Sequence, residues 1–154
     1  MPRSGEAGFT LIEIICVLAI VGLIAAVALP AFPRATSRAR LEGYALDIAA
    51  LLKGDRIAAI RSNSPVAATI SAARRTVRSG ANGGGVQLPD DVGLDAVLAQ
   101  RCGGRRAGAA IEFFPSGLSC GGTIAISRQG IGFQIRVNWL TGGVEVVSVD
   151  RSAS

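Results

Sequence analysis

Hydrophobic residues run almost unbroken from Phe9 to Leu29, and beyond Pro30 they fall into periodic patterns. The unbroken run, FTLIEIICVLAIVGLIAAVAL, holds about 21 residues; at ~1.5 Å of rise each it predicts a helix of ~31 Å, the thickness of a bilayer's hydrocarbon core. Pro30 and Pro33 predict a kink in that helix or its exit from the membrane. From Ala35 to about Ser62 the apolar positions Leu41, Tyr44, Ile48, Leu51 and Leu52 repeat at helical spacing, with Arg38, Arg40, Asp47, Lys53 and Arg56 largely on the other faces. This predicts an amphipathic continuation of the helix, with a stripe for a sheet to cover, ended by Asn63-Ser64-Pro65.

After Pro65 the period approaches two. Val66–Ser71 and Thr76–Val77 predict short strands, and SGANGGG, ending at Gly85, a flexible loop. Residues 90–100 predict a short helix or an irregular insertion. Ala110–Phe114, Thr123–Arg128, Gly132–Trp139 and Val144–Val149 predict strands between Gly-rich turns, the last hairpin closed by Thr141-Gly142-Gly143. Phe133, Ile135, Val137 and Trp139 alternate with Gln134, Arg136 and Asn138, as in a sheet with one buried face. The fold class is α+β: a long N-terminal helix packed on a C-terminal antiparallel sheet or sandwich.

Charge and chemistry narrow the function. The chain has 16 Lys and Arg against 11 Asp and Glu, net +5, and Lys53 is its only lysine. That balance permits contact with nucleic acid or anionic lipid, and equally describes an ordinary solvated surface. There is no histidine, the commonest catalytic base and metal ligand. SGANGGG lacks the Gly-Lys-Ser/Thr of a phosphate-cradling loop. Asp90 and Asp91 read as loop solvation, and Cys102 and Cys120 lack the short paired spacings of a zinc site. An enzyme is not expected, nor a cofactor or metal. Cys16 reads as a small packing residue. Cys102 and Cys120, 18 residues apart, either stay free or pair. A bond would contribute ~3 kcal/mol and would suit an oxidising compartment such as a periplasm.

Glu13 is the one ionisable side chain in the apolar run. A carboxylate at the centre of a membrane helix costs roughly 2.5–3.5 kcal/mol, less near an end. A cleaved secretory signal, with Arg3 ahead of the run and Ala26-Val27-Ala28 as the cleavage site, leaves this charge unexplained. Gly8-Phe9-Thr10-Leu11-Ile12-Glu13 resembles instead the class III signal of type IV pilins and type II secretion pseudopilins, and Pro30 falls where pilin helices carry a proline. The resemblance implies that a prepilin peptidase cuts between Gly8 and Phe9 and that the new amine of Phe9 is methylated. It also implies that Glu13, fifth after the cut, is matched by the amino terminus of a neighbouring subunit.

A second stretch, FFPSGLSCGGTIAIS from Phe113 to Ser127, resembles the heads of H-type minor pseudopilins and related minor pilins. Together the two resemblances imply a pilin-like chain organised as leader 1–8, membrane and filament-core helix 9–29, helix continuation 30–64 and periplasmic β head 65–154. They imply a structural minor pseudopilin of type II secretion, held in the bacterial inner membrane by one span and then assembled into a periplasmic pseudopilus. Its partners would be the prepilin peptidase, major and minor pseudopilins, the inner-membrane secretion platform and secreted cargo. Counting Arg34, Arg38 and Arg40 against Arg3 would place the head in the cytoplasm; the resemblance places it in the periplasm. Cys16, Ala19, Gly22 and Ala26 share an arc of about 120° on the first helix, either a face for close helix approach or the ordinary composition of membrane helices. The rival reading is a minor type IV pilin that binds DNA for uptake through Arg74, Arg75, Arg78, Arg101, Arg105 and Arg106. DNA-binding relatives carry arginines in a C-terminal tail, and this tail, VDRSAS, has only Arg151.

Overall fold

The computed structural model describes residues 8–28 and 36–150, with the backbone alone at 26–28 and 150. The leader before Gly8, the expected kink at Pro30 and Pro33, Arg34 and Arg151 lie outside the described residues. The chain divides into two compact units, residues 1–34 and 35–154.

In the first unit, α1 (Leu11–Ala28) has 18 residues, about 27 Å at the helical rise. The Thr10 carbonyl opens its ladder, accepting from the amides of Glu13 at 3.1 Å and Ile14 at 3.3 Å. Among the described residues no helix is long and apolar enough to cross a membrane. The sequence run, Phe9–Leu29, is longer than α1 at both ends. Leu11, Ile12, Ile15, Leu18, Leu23 and Ile24 are all exposed, so the apolar surface of α1 goes round the whole cylinder.

The second unit opens with α2 (Arg38–Ser62). Ser37 caps its start, accepting from the Arg40 amide, and Asn63 ends it in the left-handed region, its amide bonded to the Ala59 carbonyl. The buried residues Leu41, Ala45, Ile48, Leu52, Asp55 and Ala59 step by four and three alternately, one continuous seam. Tyr44 and Leu51 are only half-buried at its margin.

Ten strands follow: β1 (Val66–Ser71), β2 (Thr76–Arg78), β3 (Gly85–Gln87), β4 (Gly93–Leu98), β5 (Arg101–Cys102), β6 (Arg105–Arg106), β7 (Ala110–Phe113), β8 (Gly122–Arg128), β9 (Ile131–Val137) and β10 (Val144–Asp150). They form one four-stranded sheet in the order β3-β2-β1-β7, a second in the order β10-β9-β8-β4, and the small β5-β6 ribbon. All pairings are antiparallel. The core lies where the α2 seam meets both larger sheets: Ala68, Ile70 and Val77 with Ile111 and Phe113 from the first, Ile124, Ile126, Phe133 and Ile135 from the second.

Two sequence expectations change here. Residues 90–100 hold strand β4 rather than a helix, paired along its length with β8 (Leu94 opposite Ile126, Ala96 opposite Ile124). Trp139 leaves the buried row. β9 stops at Val137, the Asn138 side chain accepts the amides of Leu140 and Thr141, and the chain turns, leaving Trp139 65 % exposed.

Candidate assembly site

Gly8, Phe9 and Glu13 occupy the start of α1. A residue in the first turn sits at the positive end of the helix dipole, which favours an anion there, and Glu13 is the acidic residue of that turn. Among the described residues its carboxylate has neither an ion pair nor a hydrogen bond. Phe9 beside it is 80 % exposed. This acid therefore stands at the N-terminal end of an otherwise apolar helix with no cation beside it among the described residues.

The head carries three polar fastenings. Asp55 is fully buried in the α2 seam. Its carboxylate accepts from the Ser79 hydroxyl and from the amides of Gly80 (3.1 Å) and Ala81 (3.2 Å), while Ser79 Oγ in turn accepts from the Ala81 and Asn82 amides. The SGANGGG segment, expected to be a flexible loop, is therefore tied down at its first residues. At Gly80 a Cβ would run into the backbone of Ala67, so the tight approach requires glycine. The sequence held a signal for Asp55: a charged residue at a position of the four-three seam.

The second fastening joins the start of α2 to β8. Asp91 accepts from the Thr36 amide and the Thr36 hydroxyl, both at 2.9 Å, and its Oδ2 lies 2.7 Å from Arg128 Nε. Arg128 also donates to the Thr36 carbonyl at 2.8 Å. The Thr36 amide above all, helped by the Thr36 hydroxyl and the Arg128 charge, holds the Asp91 carboxyl below its ordinary 3.8 against an opposing push from desolvation. Asp91 is thus a structural acceptor, beyond the loop solvation its neighbour suggests; Asp90 pairs with Arg75. Because the folded value lies below the unfolded one, the contribution of Asp91 is complete above 3.8 and fades as pH falls through the lowered folded value. Acid titration of stability should show this fade in the parent chain and a weaker one in Asp91→Asn.

The third fastening is covalent. Cys102 and Cys120 are joined, Cα atoms 5.6 Å apart, while Cys16 is free and exposed. Glu112 lies close to the bonded sulfurs; with both sulfurs in the bond, this trio offers no thiolate to a metal. Arg56 adds a tie from α2 to the FFPSGLSC turn, donating from Nε to the Gly117 carbonyl at 3.0 Å.

The six arginines singled out from sequence form two groups. Arg74, Arg75 and Arg78 lie at the β1-β2 connection, where Arg75 is held by Asp90 and Arg78 donates to the Gly83 carbonyl. Arg101, Arg105 and Arg106 lie on the β5-β6 ribbon and are exposed.

The family model for the prokaryotic N-terminal methylation motif matches residues 3–29. Along most of its length the chain is similar to the Type II secretion system protein H of Xanthomonas campestris pv. campestris, 28 % identical over 142 residues that cover 92 % of this chain and 83 % of that one. In fold it is similar to the minor pseudopilin EpsH from the Type 2 Secretion System of Vibrio cholerae, with TM-score 0.55, 14 % identity, and coverage of 70 % of this chain and 96 % of that one. It is also similar to the type IV minor pilin FimU of Pseudomonas aeruginosa, with TM-score 0.52, 15 % identity, and coverage of 77 % and 94 %.

Helix and antiparallel head form a pilin-like fold, and residues 3–29 match the methylation motif. More particularly, the chain is similar in sequence to a type II secretion system protein H and in fold to a minor pseudopilin.

Proposed function

We propose that the chain is a structural minor subunit of a type II secretion system. Prepilin peptidase cuts between Gly8 and Phe9, the Phe9 amine is methylated, and residues 9–29 hold the protein in the inner membrane as a single span with its head in the periplasm. Residues 30–64 carry the helix into the head, 65–154. The subunit then leaves the bilayer for the periplasmic pseudopilus, where Glu13 meets the Phe9 amine of a neighbour and the head meets other major and minor pseudopilins. Inner-membrane secretion-platform components and secreted cargo are the remaining partners.

The observation that carries this reading is Glu13: an unpaired carboxylate in the first turn of a helix apolar on every side, within a matched methylation motif. A helix hydrophobic all round must be buried somewhere. A bilayer and a bundle of pseudopilin helices satisfy that need in succession, and the second also supplies the missing cation. No step of this role requires the chain to catalyse a reaction. Deleting the gene in its host should abolish export of the secreted enzymes across the outer membrane, with full-length chain restoring it. Normal export with loss of pili or of DNA uptake would favour the pilus reading instead.

A further inference from the structure

Among the described residues, nothing covers the face of the head formed by β4, the β5-β6 ribbon and the turn after β9. A groove of about 820 Å³ is lined there by Val97, Leu98, Thr123 and Trp139, with Leu140 on the same turn. Val97 is 78 % exposed and Leu140 58 %. Cys120 lines the groove and carries the disulfide to Cys102 on the ribbon, so groove and ribbon are covalently continuous.

The ribbon is built to present charge. Gly103 and Gly104, at φ 56 and φ 80, make a two-residue turn of the kind that matches strand twist. Across it Arg101 stands opposite Arg106, and Arg105 opposite Cys102. Like charges directly opposite each other destabilise a ribbon, yet none of the three arginines has an ion pair or hydrogen bond among the described residues. A second cleft, about 540 Å³, opens beside Gln100, Arg101, Gly104 and Arg106. Within the groove itself the one acid, Glu145, lies opposite Arg136; near the ribbon Glu112 lies by the Cys102–Cys120 sulfurs, one acid beside three exposed arginines.

We propose that this face binds an extended acidic segment of another protein, its carboxylates held by Arg101 and Arg106 and an apolar side chain seated against Trp139, Val97 and Leu98. Exposed Trp and Arg are the residue types that dominate binding energy at protein interfaces. The walls favour protein over nucleic acid: a strand of bases stacks on a series of aromatic rings, whereas here one indole stands among aliphatic side chains. The proposal rests on the reading of the head as an assembly module and adds which face it uses and what chemistry it meets.

Trp139 is the only tryptophan in the chain, so its emission reports the groove directly. Full-length chain in detergent micelles would be titrated with a ten-residue alternating Glu-Leu peptide, the matching Gln-Leu peptide and a ten-nucleotide oligothymidylate. The Glu-Leu peptide should give a saturable change in Trp139 emission that weakens with added salt. Affinity should drop about tenfold or more in the Arg101→Gln/Arg106→Gln double variant, as expected when paired charges at an interface lose one side. These arginines have no partner among the described residues and repel each other across the ribbon, so the variant should unfold no earlier than the parent. No saturable change, equal binding of the Gln-Leu peptide, tighter binding of the oligonucleotide, or an unaffected double variant would overturn the proposal. Binding is read on the purified chain, independently of export, so its failure is distinguishable from failure of the secretion role.

Discussion

Glu13→Ala should be cleaved and methylated as the parent is, yet enter pseudopili at roughly a hundredth of the parent's frequency or less. Two unit charges ~4 Å apart attract by ~4 kcal/mol at an effective dielectric of ~20. Removing one partner of a buried pair costs about 3–5 kcal/mol, because the other is left uncompensated in low dielectric. At ~1.4 kcal/mol per factor of ten, the defect is about two to three and a half orders of magnitude. Cleavage should survive, since Gly8 and Phe9 are untouched. Co-expressing parent and variant and measuring their ratio in cross-linked filaments against their ratio in the membrane reads the effect. Equal ratios would remove the charge-pairing role from Glu13.

Asp55→Ala should be the most damaging single change in the head. It strips the acceptor from the Ser79 hydroxyl and from the Gly80 and Ala81 amides in one step. The Ser79 hydroxyl is buried, and a buried donor left without a partner costs about 1–3 kcal/mol. Gly80 and Ala81 are exposed, and the Ala81 amide keeps Ser79 Oγ, so a loss of about 1–3 kcal/mol is expected from denaturant unfolding of the full chain in detergent. Asp55→Asn keeps one acceptor oxygen and should lose less. The Gly80 and Ala81 amides should also exchange hydrogen much faster in the alanine variant, a local sign that the loop has come away. A loss under about 1 kcal/mol, within the range of ordinary surface changes and single weak bonds, would mean that the loop holds itself.

The parts legible in the sequence are those set by local pattern. β1, β7, β8 and β10 could be read from alternation because each has one face on the core. The end of α2 could be read from Asn63, which tolerates the left-handed turn. The register of glycine, phenylalanine and glutamate ahead of an apolar run carries the methylation motif, whose family model matches residues 3–29.

What escaped depends on distant partners. β4 puts Leu94, Ala96 and Leu98 toward the sheet's inner side, but Ala96 is small and Val97 is apolar on the outer side, so the stretch lacks a period of two. The alternation through β9 continues on paper to Trp139; Asn138 breaks it by using its side chain as a turn acceptor. Asp91 gains its role from Thr36, 55 residues away. The β5-β6 ribbon had a Gly-Gly turn signal without the flanking hydrophobics that mark a hairpin, because its strands are too short to have a buried face.

The most direct test is the chemical identity of the mature N terminus. Protein purified from the membranes of its host should begin at Phe9 with one methyl group on the amine, by intact mass and by N-terminal sequencing. A chain that still carried residues 1–8, or one that began at Leu29, would contradict the pairing of Glu13 with a liberated terminal amine.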